Sequence, residues 1–388
     1  MEEKKKKTDV YEGFEQGPIR PPSEAYSLLI RLTRNCPWNH CTFCRVYKKR
    51  TFSLRSVENI IKDIDFIHGY IERIRQIIKP GGDMDNEVIN TLYNSFEEKD
   101  RVAFNAAMSW YASGMKSVFL QDANSLIMKP DDLVTVLLHL KKCFPNVERI
   151  TSYARSHTIA RIRPENLKRI ADAGLNRIHI GMESGSDKVL EKIRKGVTKA
   201  VHIKAGLNVK QAGMELSEYV MPGLGGIEYS IEHAMETASA LNSINPDFIR
   251  LRTLAVTDGT ELSARAARGE FEKPTDVMMA KEIRLFLESL DGITSYVKSD
   301  HILNLFETIN GRLPEDKEKM IGIIDRFFEL TPEDRVLYQI GRRMGFFRGP
   351  GDMEDSPHLE RVKQACRYYG VTPVNVDSVI DELMKRFV

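Results

Sequence analysis

The chain has 388 residues, 42% of them hydrophobic and 29% charged, the composition of an ordinary soluble globular protein rather than a disordered one, with enough apolar side chains for a large core. Lys and Arg number 57 against 55 Asp and Glu, so no surplus of positive charge calls for a nucleic-acid or anionic-membrane partner. No stretch approaches the roughly 18 uncharged residues of a membrane span, and Met1-Glu2-Glu3-Lys4 opens no apolar leader core, so a cytoplasmic protein is expected.

Residues 1–25, with the basic run Lys4 to Lys7, read as a disordered or extended arm. Short β-branched or apolar runs at Ser27 to Thr33, Ser117 to Gln121, Arg149 to Tyr153, Arg177 to Gly181, Glu215 to Met221 and Phe248 to Leu254 predict buried strands. Helical patterns at Asp131 to Lys142, Pro164 to Ala173, Ala200 to Ala212 and Ile231 to Ser243 lie between the later ones. Strand and helix thus alternate about every 30 residues, which implies parallel strands joined by right-handed crossovers. The expected fold is α/β, a partial (β/α)6 TIM-like barrel over 26–265, with a helical insertion at 66–111 broken by Pro80-Gly81-Gly82. Beyond it, patterns at Met278 to Leu290, Asp300 to Ile309, Lys317 to Glu329 and Asp355 to Tyr369 predict helices without intervening strands, a helical C-terminal extension over 266–388.

Five cysteines are present, and three of them, Cys36, Cys41 and Cys44, fall in the segment that directly follows the first predicted strand. Closely spaced thiolates of this kind are the soft ligands of iron-sulfur clusters. Three protein ligands leave one iron of a four-iron cluster open, as a substrate-binding centre requires. A zinc site with His40 as fourth ligand, or buried cysteines with no metal, are the alternatives; zinc ribbons and fingers pair two half-sites, and no second such half-site follows. Cys143 and Cys366 stand alone in the sequence.

The segment Thr33-Arg34-Asn35-Cys36-Pro37-Trp38-Asn39-His40-Cys41-Thr42-Phe43-Cys44 resembles the cluster loop of the radical SAM superfamily, whose usual CxxxCxxC spacing is lengthened here to Cx4Cx2C. The resemblance runs from about Ser27 to Leu262. It implies a [4Fe-4S] cluster whose open iron is chelated by S-adenosyl-L-methionine, reductive cleavage of that molecule to a 5′-deoxyadenosyl radical, oxygen sensitivity, and an electron donor such as flavodoxin or ferredoxin.

Chemistry in parallel β/α barrels sits at the carboxyl ends of the strands, and the candidate residues follow from that rule and the resemblance. Gln121 or Asp122, after the second strand, would bind the amino group of S-adenosylmethionine, unless Asp122 or Asn124 caps a turn. Arg155, after the third, would pair with a carboxylate or form a surface salt bridge. Glu183 and Ser184, between glycines after the fourth, would face the ribose or methionine moiety. Met221 and Gly223 open a glycine-rich segment that would seat adenine, with Phe43 in contact or simply in the core. Arg250 and Arg252 share a face of the sixth strand, either towards an anionic ligand inside the barrel or paired with acids beneath the helices. Asp300, His301 and Asn304 open a predicted helix, where they would line the substrate side of the cavity or cap and cover the helix.

No further cysteine cluster and no appended β domain is evident, which favours a small-molecule substrate over nucleic acid. The competing expectation is a non-catalytic iron-sulfur protein that carries electrons or delivers a cluster. Neither the substrate nor the oligomeric state is written in these residues.

Overall fold

The computed structural model describes residues 9–77, 86–354 and 357–384; the run Lys4 to Lys7 and the break Pro80-Gly81-Gly82 lie outside them. Eight strands form one sheet: β1 (Leu28–Arg31), β2 (Ser117–Gln121), β3 (Arg149–Ala154), β4 (Arg177–Glu183), β5 (Glu215–Val220), β6 (Phe248–Leu251), β7 (Tyr296–Lys298) and β8 (Asn310–Arg312). The six runs of apolar and β-branched residues coincide with β1 to β6. By contacts the chain divides into two units, with the division falling inside β4 between His179 and Ile180.

The first unit comprises Met1–Pro37, Lys49–His179 and Gln211–Met214. Its strands run parallel in the order β1-β2-β3, with Leu29 opposite Phe119 and Phe119 opposite Thr151. The long helix Val57–Ile77 buries Ile60, Ile64, Ile67, Ile71 and Ile74, one stripe at helical spacing. Helices Asn86–Ser95 and Glu98–Ala112 follow it, so the described part of the expected insertion is helical. Helix Pro130–Cys143 starts with proline where its missing N–H is not needed and buries Leu133, Val136, Leu137 and Leu140. Residues 9–21 form neither helix nor strand, yet polar bonds tie them down. Buried Arg55 donates to Asp63 (2.5 Å) and lies 2.7 Å from Glu15, while Arg34 reaches both Asp9 (2.7 Å) and Glu15. A buried guanidinium requires such partners, since an unpaired charge in the interior is costly.

The second unit comprises Trp38–Lys48, Ile180–Lys210 and Glu215–Val388. Its strands lie in the order β5-β6-β7-β8; β5, β6 and β7 are parallel, with Val220 opposite Leu251 and Ile249 opposite Val297, and β8 is antiparallel to β7. Helices Glu261–Ala267, Asp276–Ser289, Lys317–Glu329, Pro332–Arg343, Leu359–Tyr368 and Val376–Met384 make this C-terminal region mainly helical. Two strands nevertheless interrupt it, where the sequence pattern predicts helices alone. The predicted helix Asp300 to Ile309 is instead an irregular connection between β7 and β8. Asn304 explains the difference: its amide donates to Leu251 O (2.8 Å) and Ser299 Oγ (3.0 Å) and accepts the Thr253 N–H (2.8 Å), so the side chain bonds distant backbone rather than supporting a helix. Helix Pro332–Arg343 secures the same connection, with Arg342 donating to Asn304 O (2.9 Å), Arg343 to Leu303 O (2.8 Å) and Tyr338 to Leu305 O (2.7 Å). Beneath it Arg343 donates to both oxygens of Asp276 at 2.9 and 3.0 Å, with both side chains buried.

Candidate functional site

The three clustered cysteines are half-buried and form no disulfide. In the first unit the approach to Cys36 is set by acids. Asp122 accepts from Arg31 at 2.7 and 3.0 Å and from the Asn35 N–H at 3.2 Å, and the Asn35 amide donates to Thr51 O (2.6 Å). Asn35 itself has a positive φ of 68°, a conformation asparagine tolerates better than most residues. Burial pushes the Glu15 carboxyl up, but the Arg34 hydrogen bonds and the charges of Arg55, Arg34 and Arg31 outweigh it and hold this carboxyl below the usual range.

In the second unit the stretch Trp38–Lys48 is anchored residue by residue. The Thr42 N–H donates to Ile193 O (2.9 Å), and Thr42 O accepts from the Leu262 N–H (3.0 Å), fixing the backbone between Cys41 and Cys44. The Trp38 indole donates to Arg194 O (2.8 Å). Gly196, at φ 69°, lies under that ring so closely that a Cβ would strike it, so both conformation and space require glycine there. Phe43 packs on a buried cluster of Val189, Ile193, Met221, Leu224, Leu254 and Leu262. Phe43 and Met221, two of the expected cofactor contacts, thus share one apolar cluster.

Glu183 ends β4 in the left-handed region (φ 64°), and its carboxylate pairs with Lys195 at 3.0 Å. Its carbonyl accepts the Met221 N–H (3.0 Å), bringing the ends of β4 and β5 into register. Ser184 Oγ lies 2.8 Å from His233 Nδ1, and His233 Nε2 lies 3.0 Å from Met221 O. A carbonyl only accepts, so Nε2 carries the proton in this contact. The Gly223 N–H donates to Glu282 at 2.7 Å, and at φ 85° with Met279 Sδ 3.0 Å from the place of a Cβ, this position also demands glycine. His233 and Glu282 therefore hold the segment after β5, and the sequence reading missed both. Their signal is a polar residue within the buried stripe of an otherwise apolar helix.

Glu218, in the middle of β5, was also missed. It is fully buried, and neither carboxylate oxygen has a hydrogen-bond partner among the described residues. Burial raises its pKa well above the usual value, the Lys195 ammonium opposes this, and the Glu183 charge adds to it. Burial thus favours the protonated form of this acid. Its only mark in the sequence is an acid inside a strand run, Leu216-Ser217-Glu218-Tyr219-Val220.

Of the remaining candidates, Gln121, Asp122 and Arg155 belong to the first unit. Gln121 is consumed by the arm: its carbonyl accepts the Gly17 N–H (2.7 Å) and its amide donates to Gly17 O and Ile19 O. The Arg155 N–H donates to Asn124 (3.0 Å), a bond to a residue far along the chain rather than a cap on the turn after β2. In the second unit Arg250 is buried and donates to Ser217 (3.1 Å) and Asp300 (2.9 Å), whereas Arg252 lies past the end of β6 and is exposed. Asp300 is exposed and Asn304 buried. His301 accepts the Leu303 N–H (3.2 Å); burial, and then the Arg252 charge, bring its pKa down to about 4.

The chemistry of the donor set fits a [4Fe-4S] cluster: three cysteines outside any disulfide fall in one short segment of sequence, and the backbone between the second and third is held through Thr42. The second unit also fits a polar organic ligand, since it offers glycine-lined backbone, the Glu183–Lys195 pair and the unpartnered acid of Glu218.

Residues 90–238 match the family model for the radical SAM superfamily; the cysteine loop lies ahead of that segment. The chain is 28% identical over 127 residues to a tRNA uridine(34) acetyltransferase of Methanocaldococcus jannaschii, covering 32% of this chain and 23% of that protein. It is 27% identical over 228 residues to the 4'-phospho-dehydrooxetanocin synthase of Priestia megaterium, covering 56% and 27%. The chain thus spans about a quarter of the length of these curated relatives. Among solved structures, coproporphyrinogen III oxidase from Escherichia coli, a radical SAM enzyme, aligns over 68% of this chain and 52% of that one with a TM-score of 0.43 and 14% identity. Over residues 90–238 the chain is thus similar to the radical SAM superfamily.

Proposed function

We propose that this protein is a radical SAM enzyme in which Cys36, Cys41 and Cys44 hold a [4Fe-4S] cluster and the protein reductively cleaves S-adenosylmethionine to begin radical chemistry on a small molecule. The observation that carries the reading is the fixed three-thiol loop, with Thr42 bonded on both sides between the second and third cysteines. When bound, the cluster supplies the electron that breaks a carbon–sulfur bond of S-adenosylmethionine. In this reading Glu183, paired with Lys195, binds a polar group of that cofactor, Phe43 and Met221 flank its adenine, and the Gly223 backbone permits close approach. Asn304 holds the connection after β6 and, with His301 and the Arg250–Asp300 pair, borders the substrate. Gln121, Asp122 and Arg155 are assigned to support of the first unit. An external one-electron donor such as flavodoxin or ferredoxin is required.

Anaerobic incubation with dithionite and S-adenosylmethionine tests the proposal. The expected product is 5′-deoxyadenosine, lost together with cluster iron in Cys36→Ala, Cys41→Ala and Cys44→Ala. Glu183→Gln is expected to retain the iron and weaken cofactor binding by about 1–3 kcal/mol, the scale of a lost charge-assisted hydrogen bond. A full cluster without any cleavage product would identify an electron or cluster carrier instead. Because one relative is a tRNA-modifying enzyme, the substrate screen includes tRNA beside small molecules; turnover on tRNA alone would overturn the small-molecule assignment.

A further inference from the structure

Outside the cysteine loop, the first unit brings together three side chains of different ligand chemistry. His139 and Cys143 lie four residues apart on helix Pro130–Cys143 and so share a face; Asp65 belongs to helix Val57–Ile77. Asp65 Oδ1 lies 2.6 Å from His139 Nε2, and Cys143 Sγ lies 3.6 Å from that same nitrogen and 3.9 Å from the carboxylate oxygen. A nucleophile–base–acid relay would use the two different ring nitrogens. Here thiol and carboxylate both approach Nε2, so the three atoms surround one point. We propose that Asp65, His139 and Cys143 bind a single divalent transition-metal cation of the zinc class, in a site sharing no residue with the Cys36–Cys44 loop.

The spacing suits that ion. Tetrahedral zinc with ordinary bond lengths separates a sulfur from a nitrogen or oxygen ligand by about 3.5 Å, and nitrogen from oxygen by about 3.3 Å. The sulfur distances are already in place, and the imidazole and carboxylate need only part by under about 1 Å to admit the ion between them. One carboxylate and one thiolate match a dication in charge, and binding sends the Cys143 thiol proton to solvent. Asp65 is 56% and His139 25% exposed at the side chain, which gives the ion an entry path and leaves room for water as the fourth ligand. Thiolate with imidazole selects a borderline or soft cation over calcium or magnesium. The sequence signal was His-x3-Cys on a helix, which becomes a candidate only when the facing acid is known.

The test uses Co2+ as probe on the chain carrying Cys36→Ala, Cys41→Ala and Cys44→Ala, so that no loop thiolate contributes. One equivalent is expected to bind at neutral pH, with visible bands of tetrahedral cobalt and a near-ultraviolet thiolate-to-cobalt band, all displaced by one equivalent of Zn2+. His139→Ala and Cys143→Ala should abolish these bands, Asp65→Asn should weaken binding at least tenfold, and Cys366→Ala should change nothing. Should the triple variant not fold, zinc per chain in cluster-loaded wild type against Cys143→Ala gives the same decision. Absence of saturable binding, or a cobalt spectrum indifferent to His139→Ala, would overturn the site.

Discussion

Burial favours the uncharged form of both Glu218 and His301, and they make opposite pH signatures. For Glu218 the folded pKa is raised, so the unfolded chain loses this proton first as pH rises, and stability falls from about the ordinary value of 4.5 up to the raised folded one. Glu218→Gln removes that loss. Thermal melts should show the variant matching wild type at pH 4 and gaining on it towards pH 8; no gain would mean that the carboxylate has found a cation. For His301 the folded pKa is depressed from 6.5 to about 4, so its contribution is present above 6.5 and lost as pH falls through that window. His301→Gln should flatten the acid limb of the stability curve between those values and leave it unchanged at pH 7.5. Neither shift was legible in the sequence, because a glutamate in a strand and a histidine in a polar run give no sign of their burial.

At the level of elements, the connection between β7 and β8 depends on one side chain. Truncating Asn304 strands the Thr253 N–H, Leu251 O and Ser299 Oγ together in a buried place, and each orphaned group costs about 1–3 kcal/mol. Asn304→Ala is therefore expected to lower unfolding free energy by several kcal/mol, read from denaturant midpoints at an unchanged slope. Asn304→Asp should recover only the acceptor half. The same residue shows where the sequence reading failed. Ser299, Asp300 and Asn304 resemble a helix start, since capping residues and turn residues are the same residue types, and only long-range partners decide between them. The strands β1 to β6 were legible because each is a short apolar run closed by turn residues, whereas β7 and β8 have three residues each, too few to show any period.

For the molecule as a whole, the α/β pattern and the cysteine loop were readable because alternation and spacing are local properties of the chain. What the sequence could not convey is which groups meet: Arg55 with Glu15, Arg343 with Asp276, His233 with Ser184. These pairings join residues far apart in sequence and leave no periodic trace. The indole under which Gly196 lies has an optical consequence. The chain contains two tryptophans; Trp110 is buried, donating to Ser117 O at 2.8 Å, while Trp38 is half-buried, two residues from Cys36 and three from Cys41. Emission from Trp38 should be quenched by an absorbing cluster held by its sequence neighbours Cys36 and Cys41. Trp38→Phe should then diminish the fluorescence change on anaerobic iron and sulfide loading while leaving iron uptake intact, so this indole reports the occupancy of the loop.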